Sequence, residues 1–227
     1  MRYDGIDTVI VSGGMIRNDF ALDFLKNIIK ERHGQPVRLV AADKGLEFFR
    51  KNGLIPDFVD GDFDSLSEEG KRYLELLTDT KILLLKPEKD DTDTQSAVNL
   101  AMREGAKDIL LLGATGSRLD HLMGNLGLLT MGKAKGVHIA IADANNYVTL
   151  IESGTVLKRK EQFGKFVSFF PVGGDVEELT LQGFKYPLCR HHLTVADCGL
   201  TVSNEISMPE ATVSYSTGSL LMIMARD

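Results

Sequence analysis

Short apolar runs at Thr8–Val11, Val37–Ala42, Asp57–Val59, Lys81–Leu85, Asp108–Leu112 and His138–Ala142 punctuate the first part of the chain. Between them the apolar positions change to helical spacing, as in Phe20, Phe24, Leu25 and Ile28 or Tyr73, Leu74 and Leu77. Unbroken apolar runs separated by helices predict buried strands of a mostly parallel sheet with helices on both faces. Beyond Asn145 the helical period disappears. Short strand-like segments follow at Tyr147–Leu150, Thr155–Lys158, Phe166–Phe170, Glu178–Leu181, Leu193–Val195, Leu200–Val202, Thr212–Tyr215 and Ser219–Met224, separated by Gly, Asn or Pro. This half predicts a β-sandwich or barrel, with the boundary near residues 143–147.

Two capping boxes mark helix starts, Ser65 with Glu68 and Thr92 with Gln95, and Gly105 is placed to end the second helix. The second box puts Asp93 in a first helical turn, where free N–H groups and the positive dipole end favour a carboxylate or an anion.

Two aspartate-rich runs, Gly61-Asp62-Phe63-Asp64-Ser65 and Asp90-Asp91-Thr92-Asp93, each follow one of the expected strands. In an extended segment the spacing of Asp62 and Asp64 aims both side chains the same way. Such a pair of hard oxygen ligands suits Mg²⁺, which completes its shell with water and substrate phosphates. Ligands of an open parallel sheet sit outside the carboxyl ends of its strands. Ser12-Gly13-Gly14, Asp43-Lys44-Gly45, Asp60–Ser65, Asp90–Asp93 and Gly113–His121 are all expected on that edge. Within the last segment Arg118 is placed to contact a phosphate through its planar fork, and Asp120 to join the carboxylates or orient a nucleophile. His121 reads first as a hydrogen-bonded residue of a helix start. Neither a Walker A ending nor a Gly-x-Gly-x-x-Gly fingerprint is present.

A net charge of −6 and a pI near 5.4 argue against nucleic-acid or anionic-membrane partners. No apolar run approaches the roughly 20 residues needed to span a bilayer, and the opening residues do not resemble a signal peptide. Cys189 and Cys198 form neither a zinc knuckle nor a redox pair, so a reduced, cytoplasmic setting is expected.

Taken in order, Ala41-Ala42-Asp43-Lys44-Gly45, Pro56-Asp57, Gly61-Asp62-Phe63-Asp64-Ser65, Lys89-Asp90-Asp91-Thr92-Asp93-Thr94-Gln95 and Leu112–His121 with Asn125 resemble the thiamine pyrophosphokinase family. Tyr186-Pro187-Leu188, Ser203-Asn204-Glu205 and Gly218–Met224 extend the resemblance over nearly the full length. It implies a Rossmann-like, mostly parallel α/β/α domain over residues 1–145 that binds ATP and Mg²⁺. An antiparallel β-sandwich over 146–227 would then bind thiamine and mediate a homodimer. The implied reaction transfers the β,γ-pyrophosphoryl group of ATP to the hydroxyl of thiamine, giving thiamine diphosphate and AMP.

The resemblance assigns Asp62, Asp64, Asp93 and Asp120 to catalysis, the first three as metal ligands, with Asp93 or Asp120 to accept the hydroxyl proton. Asp43, Lys44, Thr92, Thr115, Arg118 and His121 fall to ATP. Gln95, Ser203, Asn204 and Met222 fall to thiamine, Met222 standing where some relatives place an aromatic residue in a chain that has no Trp. Lys44 stands where many relatives have a small residue. Two alternatives stay open: an Asp-x-Asp metal-dependent glycosyltransferase, in which Asp62 and Asp64 act alone, and a module that binds nucleotide or thiamine without turnover.

Overall fold

The structure, a computed structural model, describes residues 3–84, 91–116, 118–197 and 199–227. Leu85, Lys89, Asp90, Ser117 and Cys198, which figure in the expectations above, lie outside the described residues. The chain forms two compact units, Tyr3–Ala144 and Asn145–Asp227.

In the first unit, strands β1 (Thr8–Val11), β2 (Arg38–Ala42), β3 (Phe58–Gly61), β4 (Lys81–Leu84), β5 (Asp108–Leu112) and β6 (His138–Ala142) alternate with helices. The helices are α1 (Asn18–Glu31), α2 (Leu46–Asn52), α3 (Glu68–Glu75), α4 (Asp93–Arg103) and α5 (Leu119–Ala134). The strand order is β6-β5-β1-β2-β3-β4, with parallel pairing throughout. Val9, Ile10 and Val11 of β1 and Leu110 and Leu111 of β5 are fully buried, so the central strands have no solvent face and show no alternation. α1 buries Ala21, Phe24, Leu25 and Ile28, a stripe of helical period.

Two expectations change. Lys81–Leu84 is not a buried strand: among the described residues β4 ends the sheet order, and Ile82, Leu83 and Leu84 are exposed at that outer position. The cap of α3 is Ser67, not Ser65, and its hydroxyl accepts from the N–H of Gly70 at 3.0 Å. Thr92 does cap α4, accepting from the N–H of Gln95 at 3.2 Å, and Gly105 follows that helix in the left-handed region, φ 91°.

The second unit is all β: β7 (Asn146–Ile151), β8 (Thr155–Lys158), β9 (Phe166–Pro171), β10 (Val176–Gln182), β11 (Leu188–Leu193), β12 (Asn204–Glu205), β13 (Glu210–Ser214) and β14 (Leu220–Ala225). They form two antiparallel layers, ordered β12-β9-β14-β7 and β11-β10-β13-β8. Phe169 and Phe184 meet edge to face at 5.6 Å in a core that includes Leu179, Leu181, Leu220 and Met222. The expected strands at Leu193–Val195 and Leu200–Val202 do not form; the chain turns there, and Leu193 instead closes the polar strand β11.

Candidate active site

The sheet order reverses at β1, which pairs with β2 on one side and β5 on the other. The loops leaving these strands diverge at such a switch point and open a crevice. Here they line a cleft of about 490 Å³ together with the ends of β2 and β3 and the start of α4. Gly13, Gly14, Gly113 and Gly116 are part of its lining. The N–H of Gly14 donates to the carbonyl of Gly113 at 3.0 Å, and a Cβ on Gly14 would lie 2.3 Å from that oxygen. Only glycine permits this approach of the two loops. Behind them, buried Ser12 accepts from the hydroxyl of Thr94 at 3.0 Å, and buried Asn125 donates to the carbonyl of Ala114 at 2.8 Å.

Asp43 leaves β2 with φ 47°, and Asp62 and Asp64 follow β3 around buried Phe63, which has φ 64°. Asp62 and Asp64 therefore flank a left-handed turn, not an extended step. Their convergence is made by that turn, with Asp62 Oδ1 accepting from the N–H of Asp64 at 3.3 Å. One carboxylate oxygen from each of Asp43, Asp62 and Asp64 lies within 4.8 Å of the others.

The charge of Asp62 pushes the Asp64 carboxyl above its ordinary pKa, with smaller contributions from burial, Asp43 and Asp93. Ser65, freed from capping, donates its hydroxyl to Asp43 Oδ2 at 2.5 Å. The other oxygen, Oδ1, is buried and has no hydrogen-bond partner among the described residues. Mutually repelling hard oxygens, one of them dry and unpaired, fit a divalent cation by the chemistry of the donor set.

The remaining candidates fall into four groups. Lys44, Thr92, Asp93, Arg118 and His121 line the cleft, and Thr115 lies in the Gly113–Gly116 loop beside it. Asp120 points to Arg118: the two form a two-pronged ion pair at 2.5 and 3.2 Å, and the guanidinium lowers the Asp120 carboxyl to about 2. Gln95 turns its amide nitrogen to Asp91 Oδ1 at 2.5 Å.

Ser203, Asn204 and Met222 belong to the second unit. Met222 is 2% exposed and paired in the middle of its sheet, and the Asn204 side chain is bonded to both backbone groups of Tyr186, at 3.0 and 2.8 Å. Ser12 lies on the edge where its segment was expected, and Asn99 escaped the sequence reading. Asn99 was detectable from Asp91, Gln95 and Asn99 recurring at four-residue intervals along one helix face.

The description "Thiamin pyrophosphokinase, catalytic domain" matches residues 29–141, and "Thiamin pyrophosphokinase, vitamin B1 binding domain" matches 154–220. Thiamine pyrophosphokinase of Bacillus subtilis (strain 168) is 34% identical over 205 residues, covering 89% of this chain and 95% of that protein. The chain belongs to the thiamine pyrophosphokinase family. A crystal structure of the Bacillus subtilis thiamine pyrophosphokinase superposes with a TM-score of 0.83 at 31% identity, covering 97% of this chain and 99% of that one. The Geobacillus thermodenitrificans thiamin pyrophosphokinase gives 0.80 at 33% identity, with 97% of each chain covered. The yeast thiamin pyrophosphokinase, 17% identical with a TM-score of 0.76, shares the fold. The activity of this chain is thus that of a thiamine pyrophosphokinase, which sets aside both the glycosyltransferase and the non-catalytic readings. Among the described residues no helix is long and apolar enough to cross a membrane.

Proposed function

We propose that the cleft of the first unit binds ATP with Mg²⁺ and places its β-phosphorus for attack by the hydroxyl of thiamine, releasing AMP and thiamine diphosphate. The observation that carries this reading is the convergence of Asp43, Asp62 and Asp64 beside a glycine-lined crevice at the sheet's switch point. Asp43, Asp62 and Asp64, with Asp93 beside them, would hold the cation. When bound, Mg²⁺ supplies charge neutralisation of the triphosphate and of the leaving AMP oxygen.

The chain's own residues do the rest by positioning, which dominates phosphoryl-type transfers. Arg118 and Lys44 offer cationic groups to the phosphates, and Thr92 and the N–H groups at the start of α4 offer donors. Asp120, held by Arg118 and far more acidic than a base working near neutral pH, is a poor proton acceptor. The hydroxyl proton then falls to Asp93, which lines the cleft. The excess of carboxylates over what one cation needs also favours the permanently cationic thiazolium ring. Ser203 and Asn204 on the thiamine side and a homodimer complete the reading and rest on the family resemblance, and a cytoplasmic setting rests on the cysteine usage.

The test is product analysis after incubation with ATP, Mg²⁺ and thiamine. Equal amounts of AMP and thiamine diphosphate, both lost on chelation, are expected. ADP with thiamine monophosphate would overturn pyrophosphoryl transfer. Sedimentation of the purified chain tests the dimer.

A further inference from the structure

Asp91 lines the cleft, and each of its oxygens accepts from a side-chain amide. Oδ1 accepts from the side-chain amide of Gln95 at 2.5 Å and Oδ2 from that of Asn99 at 3.2 Å. Both donors are neutral groups of α4, one and two turns along the same face, and Asn99 is itself anchored by Lys135 Nζ at 3.3 Å, just beyond α5. The carboxylate thus straps the incoming chain onto the start of α4, where the helix dipole favours its charge. Two residues later comes Asp93, with Thr92 between them as the cap. Three hydrogen bonds, from Gln95 and Asn99 to Asp91 and from Gln95 N–H to Thr92, therefore fix a three-residue segment that ends in an acid whose charge is felt at Asp64.

We propose that Asp91 is a positioning residue: clamped by Gln95 and Asn99, it sets where Asp93 stands against the Asp43–Asp62–Asp64 carboxylates and so sets the cleft's affinity for a divalent cation. Gln95 then acts through Asp91, its amide nitrogen already committed. The inference rests on the reading of those carboxylates as a cation site.

The experiment compares the full chain with D91N, the double variant D91N/Q95E and N99A by free-Mn²⁺ electron paramagnetic resonance, by KM for MgATP against kcat, and by melting temperature. D91N keeps the shape but sets an amide NH₂ against an amide donor, so Mn²⁺ binding is expected to weaken by roughly 10- to 100-fold, the range typical of partners that orient metal ligands. KM for MgATP rises while the melting temperature stays put, because the released amides reach water. In D91N/Q95E the new amide donates to the new carboxylate and still accepts from Asn99, so most of the Mn²⁺ affinity returns. N99A, losing one donor, gives a smaller loss and carries the test if D91N fails to fold. Wild-type Mn²⁺ affinity in D91N or N99A, or a double variant no tighter than D91N, overturns the inference. A wild-type chain that makes no thiamine diphosphate refutes the proposed function instead, and leaves the Mn²⁺ comparison standing.

Discussion

Replacing Gly45 by alanine tests how the acidic cluster is held. Gly45 lies in the short turn after β2 with φ −55°, a conformation alanine adopts freely, so the substitution adds no backbone strain of its own. What it adds is contact. A Cβ there would stand 1.8 Å from the carbonyl oxygen of Val11 and 2.6 Å from its carbon, both inside any approach that real Cβ atoms make and the first by more than an ångström. Val11 belongs to the fully buried central strand and both partners are backbone, so no side chain can swing away. Overpacking of this kind costs about 3 kcal/mol, the upper end of the usual range, where no flexible atom yields. At about 2–4 °C per kcal/mol for a chain of this size, the melting temperature should fall by about 6–12 °C.

Two readouts separate the possible responses. If the turn moves to relieve the clash, Asp43, two residues earlier, leaves Asp62 and Asp64, and Mn²⁺ affinity falls with the melting temperature. Gly124→Ala and Gly127→Ala in α5 are the controls: an added Cβ meets nothing within 4 Å at either site, so each should stabilise by about 0.4–1 kcal/mol. Gly45→Ala melting within about a degree of the wild type, with unchanged Mn²⁺ binding, would refute the close approach on which the geometry of the cluster depends.

Asn204→Ala strips the partners from both backbone groups of Tyr186 and from the N–H of Glu205. It should cost about 2 kcal/mol, seen as a lower denaturation midpoint; a change in KM for thiamine with no loss of stability would contradict this structural role. His192 sits between Glu177 at 2.8 Å and Asp175 at 3.4 Å, with Asp197 also nearby, and Glu177 foremost raises its pKa. Its stabilising contribution is therefore present below the ordinary histidine pKa and is lost as pH rises through the higher folded value. The group is half exposed, so the effect is small: the melting temperature should decline across that window and His192→Gln should flatten the decline, while an unaltered slope would rule the contact out.

Where burial and period coincide, local reading succeeds. β1, β5 and β6 occupy the residues their apolar runs mark, because strands covered on both faces need no tertiary information to be recognised. β11 fails for the opposite reason. Arg190, His191 and His192 make it polar, it ends its sheet, and its register against β10 shifts twice, with Glu178 and Arg190 both in the left-handed region. No alternation survives such irregularities, and the apolar residues that follow, in turns, carry the strand-like signal instead.

The acidic site shows the same division more sharply. Asp62 and Asp64 stand together, but a rule for extended chain does not describe why, because Phe63 turns the backbone and is held down by burial. Asp43 joins them from a different strand, and Ser65 serves Asp43, leaving the cap of α3 to Ser67. Each of these roles depends on which strands are neighbours, and β2 and β3 are neighbours only through the whole sheet. Residue types at strand ends identify what chemistry a chain can perform. What each carboxylate is free to do depends on the partner it meets, and that partner comes from the next strand's loop for Asp43 (Ser65), from one and two turns along α4 for Asp91 (Gln95 and Asn99) and from two residues away for Asp120 (Arg118).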